Sequence, residues 1–286
     1  MGVYTDYPEI PEERGDDIHG LEMAGRADLT LFMAGNQFMV MPELIDAFRK
    51  ENPAAETVVY QTLPPGLELR QILAGGARFR GKTYKFHPDV YSSVSEKAMK
   101  TLAERDIIAS EDYFVYLHNR LALMVRKGNP RAIASVLDLG REDIVVSQPN
   151  PEYEHIAEHV AAMYEQAGGQ ELVETILEKK LADGTALLTT VHHRETPTRL
   201  LRGEADVGPV WYTEIEAAKR AGLEIEGVEL DPSVDQREAI NYYIAPLRIG
   251  RNPENTRSFL RFVTAEPARR IFQKYGFITE IFSSGD

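Results

Sequence analysis

The first clear pattern of hydrophobic and polar positions lies between residues 29 and 48. Leu29–Ala34 is a short, mostly apolar run, which predicts a strand that is covered on both faces. Gly35–Gln37 interrupts this run with residues that favour a turn. The next apolar positions recur at i, i+3, i+4 and i+7, which predicts one buried helix face: Met41, Leu44, Ile45 and Phe48. A strand that leads through a polar turn to a helix N-terminus can bind an anion, although an ordinary turn without a ligand is the commoner case.

Apolar runs and helical periods alternate along the rest of the chain. The runs predict strands at 56–61, 89–93, 113–116, 121–125, 143–147, 186–191, 206–212, 223–230 and 238–247. The helical periods predict helices at 67–74, from 95, from 150 to 169, before Gly203, at 213–220, from 252 and at 266–275. Strands that alternate with helices predict an α/β fold with mostly parallel sheets.

Several local signals refine these elements. Pro42 predicts that the first helix begins near Met41, and Ser95 is a candidate N-cap for a helix with Glu96 in its first turn. The tripeptide Asn-Pro-Glu at 150–152 and again at 252–254 is typical of a helix start. Residues 1–28 show no sustained period and predict an irregular N-terminal extension. The basic and aromatic stretch 77–87 predicts a surface loop.

Composition and charge narrow the class of function. The 286 residues are 43% hydrophobic and 27% charged, which is typical of a soluble globular protein with one or two domains. The net charge is −13, so a nucleic-acid partner is not expected, and any anion must be held by local donors against a repulsive overall field. The chain has no cysteine, which excludes disulfides, thiolate catalysis and cysteine-bound metal.

The location of the protein is left open by the sequence. No run of 18 apolar residues is present, so we expect no membrane insertion. The first 28 residues contain eight acidic and two basic residues, whereas a secretory signal has a basic start and an apolar middle. A signal was removed or the protein is made without one, so a periplasmic and a cytoplasmic location are both consistent with the sequence.

One motif points to metal chemistry. His155-Ile-Ala-Glu158-His159 fits the pattern His-x-x-Glu-His, in which two histidines at i and i+4 share a helix face and can bind zinc. A pair of surface histidines is the simpler interpretation, because the motif lacks a third ligand and the context of a hydrolase. A metal or metal-chelate ligand held by His155 and His193 is a further alternative. Phosphate-binding glycine loops and the Gly-x-Ser-x-Gly elbow are absent from the sequence, so we expect neither an enzyme nor a cofactor.

Four segments, taken together, resemble the molybdate-binding proteins of ABC transporters. They are residues 31–36 (LFMAGN), 89–97 (DVYSSVSEK), 202–208 (RGEADVG) and 259–277, which closes with Lys-Tyr-Gly-Phe. They occur in the family's order over about residues 29–280. The resemblance implies a two-lobe type II periplasmic-binding-protein fold with two hinge crossings, at 119–125 and 240–247. It implies an extension of residues 1–28, lobe 1 from 29–118 plus 239–286, and lobe 2 from 119–238.

The resemblance also implies which positions bind the ligand. In the family, hydroxyl and backbone N–H groups of five loops hold an oxyanion in the cleft between the lobes. The corresponding positions here are Asn36, the loop Thr62–Gly66, the stretch Tyr153–His155, His193, and Trp211 with Tyr212 beside it. From the residues themselves we add further candidates, namely Gln37 beside the first position, Ser92 at a strand end, and Arg194.

The departures from the family pattern concern the ligand. The first serine is Asn36, the second loop has fewer hydroxyl groups, and Glu152 and Glu154 oppose an anion at their helix start. Arg194 and the histidines before it add donors that the family lacks. A larger or carboxylate-bearing anion, clamped by Arg194, is therefore as consistent with the sequence as molybdate.

The function predicted from the sequence is capture of a small anion for an ABC permease by a monomeric protein. One alternative is a cytosolic anion sensor or carrier of the same fold. The other is a metal-binding protein or metallohydrolase that uses His155, Glu158 and His159.

Overall fold

The structure is a computed structural model that describes residues 7–152, 154–190 and 195–282. The described chain forms two compact units, and each is treated by itself. The first unit comprises the chain up to Leu117, Asn241–Lys274 and the chain from Ile278 onward, and the second comprises His118–Ile240 and Tyr275–Phe277. The lobe boundaries derived from the resemblance, at 118/119 and 238/239, stay a prediction.

The strands and helices alternate along the chain. The strands are β1 (Ile18–His19), β2 (Leu29–Phe32), β3 (Val58–Gln61), β4 (Gly76–Phe79), β5 (Lys82–Lys85), β6 (Val90–Ser93), β7 (Phe114–His118), β8 (Leu121–Arg126), β9 (Val146–Gln148), β10 (Ala186–Leu188), β11 (Val207–Trp211), β12 (Ile225–Glu229) and β13 (Asn241–Pro246). The α-helices are α1 (Met41–Glu51), α2 (Pro65–Ala74), α3 (Glu96–Glu104), α4 (Ile156–Glu174), α5 (Lys180–Asp183), α6 (Glu195–Arg202), α7 (Tyr212–Arg220), α8 (Pro253–Thr264) and α9 (Glu266–Lys274). This order confirms the predicted α/β class.

The first unit is built on a six-stranded sheet with the order β1-β3-β2-β6-β13-β7. The strands β3, β2 and β6 are parallel, with Leu31 opposite both Tyr60 and Val90. The outer neighbours β1 and β13 run antiparallel, so the sheet is mixed with a parallel centre. Every residue of β2 is buried, as expected for a strand covered on both faces. Helix α1 begins at Met41 as Pro42 predicts, and its Phe48 ring meets Phe259 with the centroids 5.2 Å apart.

The basic stretch after α2 differs from its prediction. Residues 77–87 were expected to form a surface loop, but β4 and β5 pair as an antiparallel hairpin. The stretch has a strand period that the basic residues obscure, because Ala77 and Phe79 are buried while Arg78 between them is exposed. Gly76 approaches its partner strand so closely that a Cβ there would lie 2.3 Å from the carbonyl oxygen of Tyr84.

The second unit is built on a five-stranded sheet with the order β10-β9-β11-β8-β12. The strands β10, β9 and β11 are parallel, and β8 runs antiparallel to both β11 and β12. As in the first unit, three parallel strands carry antiparallel neighbours. The sheets are therefore more evenly mixed than the alternation of strands and helices predicts.

One predicted helix start is wrong. The helix expected to begin at 150–152 begins at Ile156, and Asn150 forms a turn in which its Oδ1 accepts the N–H of Glu152 at 3.0 Å. Helix α3 starts as predicted, with Ser95 at the N-cap and Glu96 in the first turn, but the Ser95 side chain forms no capping bond, and the Oγ of Ser93 accepts the N–H of Ser95 at 3.0 Å. The predicted stop at 168–169 corresponds to a break in α4, where Gly169 has φ of 66° and ψ of −169°.

Membrane-spanning length is a separate question. Within the described ranges, no helix combines the length and the apolar character needed to cross a bilayer.

Candidate functional site

The first candidate position, Asn36, lies in a 3-10 turn (Gly35–Gln37) directly after β2. Its side chain is 9% exposed, and its Nδ2 donates a hydrogen bond to the hydroxyl of Tyr242 on β13. Its Oδ1 is buried and has no hydrogen-bond partner among the described residues. A buried polar atom without a partner is unfavourable unless a ligand or water pairs with it, so Asn36 is a strong candidate for ligand contact.

Gln37 and Ser92, two further candidates, are bonded inside the first unit. The Nε2 of Gln37 donates to the hydroxyl of Tyr116 at 2.7 Å, and the same hydroxyl lies 3.0 Å from Gln37 Oε1. The Oγ of Ser92 lies 2.9 Å from that hydroxyl as well. All three side chains are buried, and burial raises the pKa of the Tyr116 phenol, which keeps it neutral. This arrangement fixes the loop after β2 against β6 and β7.

The second loop, between β3 and α2, lies against the first. A Cβ at Gly35 would come within 3.2 Å of the Thr62 carbonyl oxygen and 3.1 Å of the Leu63 carbonyl oxygen, so only glycine fits comfortably there. Thr62 is fully buried, and its N–H donates to the carbonyl of Asp17 at 2.8 Å. Its Oγ1 has no partner in the part of the chain that the structure describes. Asn36 and Thr62 thus present unpaired polar atoms on two adjoining loops.

Gly66 lies in the first turn of α2 and is exposed. The two residues before it, Pro64 and Pro65, have no N–H group, so the N–H of Gly66 is the first donor at this helix end. The N–H groups of the next two residues bond to the Pro64 carbonyl at 2.8 and 3.1 Å. The positive end of the α2 dipole therefore coincides with the Thr62 loop.

In the second unit, several candidates fall outside the described residues. These are Tyr153, His193 and Arg194, together with His192. Their neighbour His155 is exposed at the N-cap of α4, and its Nδ1 lies 3.6 Å from Glu158.

The loop from β9 to α4 is organised by an acid. Glu154 is 8% exposed, and its Oε1 accepts hydrogen bonds from the N–H of Asn150, at 3.1 Å, and from the hydroxyl of Thr189. The Nδ2 of Asn150 donates to the Thr189 carbonyl at 3.2 Å. Glu154 thus holds the ends of β9 and β10 together, which explains an acid at a position where an anion site would disfavour one.

Trp211 and Tyr212 lie where β11 passes into α7. Trp211 is 3% exposed, and its ring meets that of His159 edge to face with the centroids 5.9 Å apart. Tyr212 is half-buried, and the guanidinium carbon of Arg120 lies 3.5 Å from its ring centroid. Burial raises the pKa of the Tyr212 hydroxyl. In the second unit Trp211 is therefore largely enclosed, and the ring of Tyr212 is covered by the guanidinium group of Arg120.

The histidine motif does not form a metal centre among the described side chains. No cluster of three or more His, Cys, Asp or Glu suited to a metal ion is found within residues 7–152, 154–190 and 195–282. His155 and His159 pack edge to face with the ring centroids 5.4 Å apart. Burial, and secondarily the charge of His155, lower the pKa of His159 to about 4.

Sequence reasoning missed the residues that position the first two loops. Tyr116 and Tyr242 lie 79 and 206 residues away from their partners in the first loop, so no local pattern could identify them. Glu68, on α2, accepts the N–H of Leu63 at 3.1 Å and is fully buried. The sequence feature that could have identified Glu68 is a charged residue on the apolar helix face that Leu67 and Ile72 define.

Known proteins resemble this chain over most of its length. The molybdate-binding protein ModA of Haemophilus influenzae is 22% identical over 258 residues, which cover 90% of this chain and 92% of that protein. Among solved structures, the substrate-binding domain of a putative molybdenum ABC transporter from Clostridium difficile has a TM-score of 0.68 at 18% identity, over 88% of this chain and 98% of that one. The sulfate-binding protein SubI of Mycobacterium tuberculosis has a TM-score of 0.68 at 17% identity, over 87% and 85%.

These similarities confirm the fold and the resemblance predicted from the four segments. The chain has the type II periplasmic-binding-protein fold, with α/β units whose sheets are mixed. The family model of the bacterial extracellular solute-binding proteins matches residues 29–278, which include both loops of the first unit and the β11–α7 junction. The chain therefore belongs to the bacterial extracellular solute-binding protein family.

Proposed function

We propose that this protein binds a small anion, an oxyanion or a carboxylate-bearing anion, and presents it to an ABC importer from the periplasm. Membership of the solute-binding family supports a carrier rather than an enzyme. Two of the relatives are named for molybdate and sulfate, which are both oxyanions. Other solved structures of this fold are named for iron, so the fold by itself does not select the ligand.

The observation that carries the proposal is the pair of buried, unpaired side-chain atoms on adjoining loops, Asn36 Oδ1 and Thr62 Oγ1. Both loops follow parallel strands at their carboxyl ends, where sheets of this class bind ligands. Leaving such an atom unpaired costs about 1–3 kcal/mol, and a ligand that pairs with it removes this cost. Both groups are uncharged, as is the N–H of Gly66 at the start of α2.

The orientation of the Asn36 amide suits an anion after one rotation. The two ends of an amide are interchangeable in shape, and its orientation is assigned from the hydrogen-bond network. Rotating the amide by 180° lets the Tyr242 hydroxyl donate to Oδ1 and leaves Nδ2, a donor, as the atom that lacks a partner. In the present orientation the unpaired atom is an acceptor, so it could pair only with a protonated ligand that donates a hydrogen bond to it.

The second unit supplies further proposed contacts. His155 is exposed, and His193 and Arg194 come after β10 in the sequence. Arg194 distinguishes the two ligand classes, because a guanidinium pairs with a carboxylate through two parallel hydrogen bonds. Tyr153, Trp211 and Tyr212 complete the proposed set.

Isothermal titration calorimetry with molybdate, tungstate, sulfate and a panel of carboxylates tests the proposal. We expect Thr62→Val and Asn36→Asp each to weaken the affinity for the bound anion at least tenfold, which is about 1.4 kcal/mol. The first removes only a hydroxyl group, and the second places a negative charge at the ligand. Matched controls in the same unit are Thr256→Val and Asn255→Asp, whose side chains donate to the carbonyls of Asn252 and Asp28.

Two outcomes would contradict the proposal. Unchanged affinity in both loop variants would remove Asn36 and Thr62 from the site, and failure of every anion to bind would remove the function. Arg194→Ala adds a further measurement: a tenfold loss for carboxylates, together with a smaller loss for molybdate and sulfate, would assign the carboxylate class.

A further inference from the structure

A buried carboxyl group lies directly behind the Thr62 loop. Glu68, in the first turn of α2, has 0% exposure, and its Oε1 accepts the N–H of Leu63, the residue after Thr62. Its Oε2 is buried and without a hydrogen-bond partner among the described residues. The function proposed above does not use this group, although it touches the loop that would hold the anion.

The surroundings of Glu68 are polar and also incompletely paired. Gln71, one helical turn further along α2, accepts a hydrogen bond from Gln61 Nε2 at 3.3 Å, but its own Nε2 is buried without a partner in the described structure. The Oγ1 of Thr62 is likewise buried without a partner in the described structure. Three unpaired buried atoms thus belong to one β3–α2 connection, which is unusual for a purely structural core.

The charges that face Glu68 favour its neutral form. Burial is the largest cause and raises the pKa of Glu68 well above its usual range, while the hydrogen bond from the Leu63 N–H opposes it only in part. The charge of Asp17, from the N-terminal 3-10 helix (Glu12–Asp17), raises it further, and the Asp17 carboxylate pairs with Arg14 at 3.2 Å. Tyr91, on β6, is the other titratable neighbour, and burial keeps it neutral by raising its pKa.

Charges on the remaining elements packed against α2 are turned to solvent or paired. On the β4–β5 hairpin, Arg78 and Lys82 are exposed, and on α2 itself Arg70 is exposed. On α3, Lys97 is exposed and Glu96 is paired with Lys100 at 2.8 Å. The described structure therefore offers Glu68 no cation at hydrogen-bond distance that would hold it ionised.

We propose that Glu68 binds a proton together with the anion, so that one proton is taken up for each anion held at the Thr62 loop. This inference rests on the proposed function. An ionised Glu68 beside Leu63 would repel a negative ligand at Thr62 across a poorly screened interior, whereas the neutral acid would not. By linkage, a proton that favours the anion is itself bound more tightly once the anion is present.

The direction of the pH dependence follows from this coupling. The affinity for the anion is highest where Glu68 is already neutral in the free protein. It falls as the pH rises through the pKa of Glu68 in the free protein, and it levels off above the higher pKa of the bound form. Proton uptake is greatest between those two pKa values.

Calorimetry in two buffers that differ in ionisation enthalpy counts the protons directly. Sulfate and molybdate are suitable probes, because both stay dianionic at neutral and alkaline pH and so take up no proton themselves. We expect uptake that approaches one proton per anion where Glu68 is ionised in the free protein, and at least a tenfold fall in affinity from the pH at which Glu68 is neutral to the pH at which it is ionised. Glu68→Gln mimics the neutral acid, so it should bind with the low-pH affinity throughout and take up no proton at this position.

A matched control and the contradicting outcomes keep the inference apart from the proposed function. Glu214→Gln, a buried acid on α7 in the second unit, should keep the wild-type proton uptake. Anion binding without proton uptake in the wild type, or uptake that persists in Glu68→Gln, overturns the role of Glu68 and leaves the proposed function intact. Failure of every probe to bind at any pH overturns the proposed function and, with it, this inference.

Discussion

Asn36 donates a hydrogen bond through Nδ2 to the hydroxyl of Tyr242, although 206 residues separate the two along the chain. Tyr242 belongs to β13, the last strand of the first unit's sheet, and both side chains are buried. The bond fixes the first candidate binding loop to a strand that follows residues His118–Ile240 of the second unit in the sequence. The orientation of the Asn36 amide, and so the chemistry it presents, depends on this single hydroxyl.

Tyr242→Phe tests that dependence. The variant keeps the ring and removes the hydroxyl, so one end of a buried amide loses its partner, which costs about 1–3 kcal/mol of unfolding free energy. We expect weaker anion binding as well, because the amide is no longer held in one orientation. Denaturant unfolding and calorimetry measure the two effects. Tyr243→Phe, at the neighbouring half-buried position, should change neither by a comparable amount, and equal effects in both variants would argue against a specific role.

The bonded group of Gln37, Ser92 and Tyr116 leads to a second prediction. Removing one member, as in Gln37→Leu or Tyr116→Phe, leaves the others partly unpaired, so each variant should lose about 1–3 kcal/mol of stability. The double variant should lose less than the sum, since it removes both partners of one bond. Affinity should fall less than in Thr62→Val. A Gln37→Leu protein of normal stability with greatly weakened binding would instead assign this side chain to the ligand.

The tripeptide Asn-Pro-Glu, which occurs twice, shows how much of the fold could be predicted from local sequence. Asn-Pro-Glu at 252–254 starts α8 as predicted, with Pro253 at the first helical position. At 150–152 the identical residues form a turn, and α4 starts at Ile156. The difference comes from Glu154 and Thr189, which bond to Asn150 and hold it in the loop. Local preference predicted that a helix would start nearby, and a contact 39 residues distant decided where.

The residues of the candidate site also divide into those that local sequence predicts and those that only long-range contacts reveal. Asn36 and Thr62 were predicted from the family resemblance, and both follow apolar strands, a relationship that is visible within a dozen residues. The pairing of Gln37 with Tyr116, and the burial of Glu68 behind Leu63, depend on side chains brought together by the sheet. A sequence pattern identifies which loops reach the carboxyl ends of the strands. It does not identify which of their polar atoms are already bonded to the protein.

Asp89 provides a stability prediction away from the candidate site. Its buried carboxylate accepts the N–H groups of Thr30, Arg251 and Asn252 at 2.8, 2.8 and 2.9 Å, which joins β2 to the turn before α8. A Cβ at Gly250 would lie 2.7 Å from Asp89 Oδ1 and 2.8 Å from its Cα. We expect Gly250→Ala to lower the unfolding free energy by about 1–3 kcal/mol through displacement of this turn. Gly25→Ala, with no atom within 4 Å, is the control that should leave stability unchanged.

The last prediction concerns the effect of acidic pH on stability, through His159 in the second unit. The pKa of His159 is about 4, below the usual 6.5, because burial and then the charge of His155 disfavour its protonated form. Between these values the unfolded chain binds a proton that the folded chain does not, so the contribution of His159 to stability is constant above about pH 6.5 and falls as the pH drops towards 4. The shift corresponds to a loss of up to about 3 kcal/mol.

His159→Gln isolates this contribution because it removes the titrating group but keeps a polar side chain of moderate size. Denaturant unfolding at about pH 7 and about pH 4.5 should show a smaller loss in the variant than in the wild type. The sole tryptophan, Trp211, packs against the His159 ring and reports the same titration by fluorescence. A wild-type fluorescence transition centred near pH 6.5 would show that the histidine is not protected, and an equal acid loss in both proteins would assign the effect to other groups.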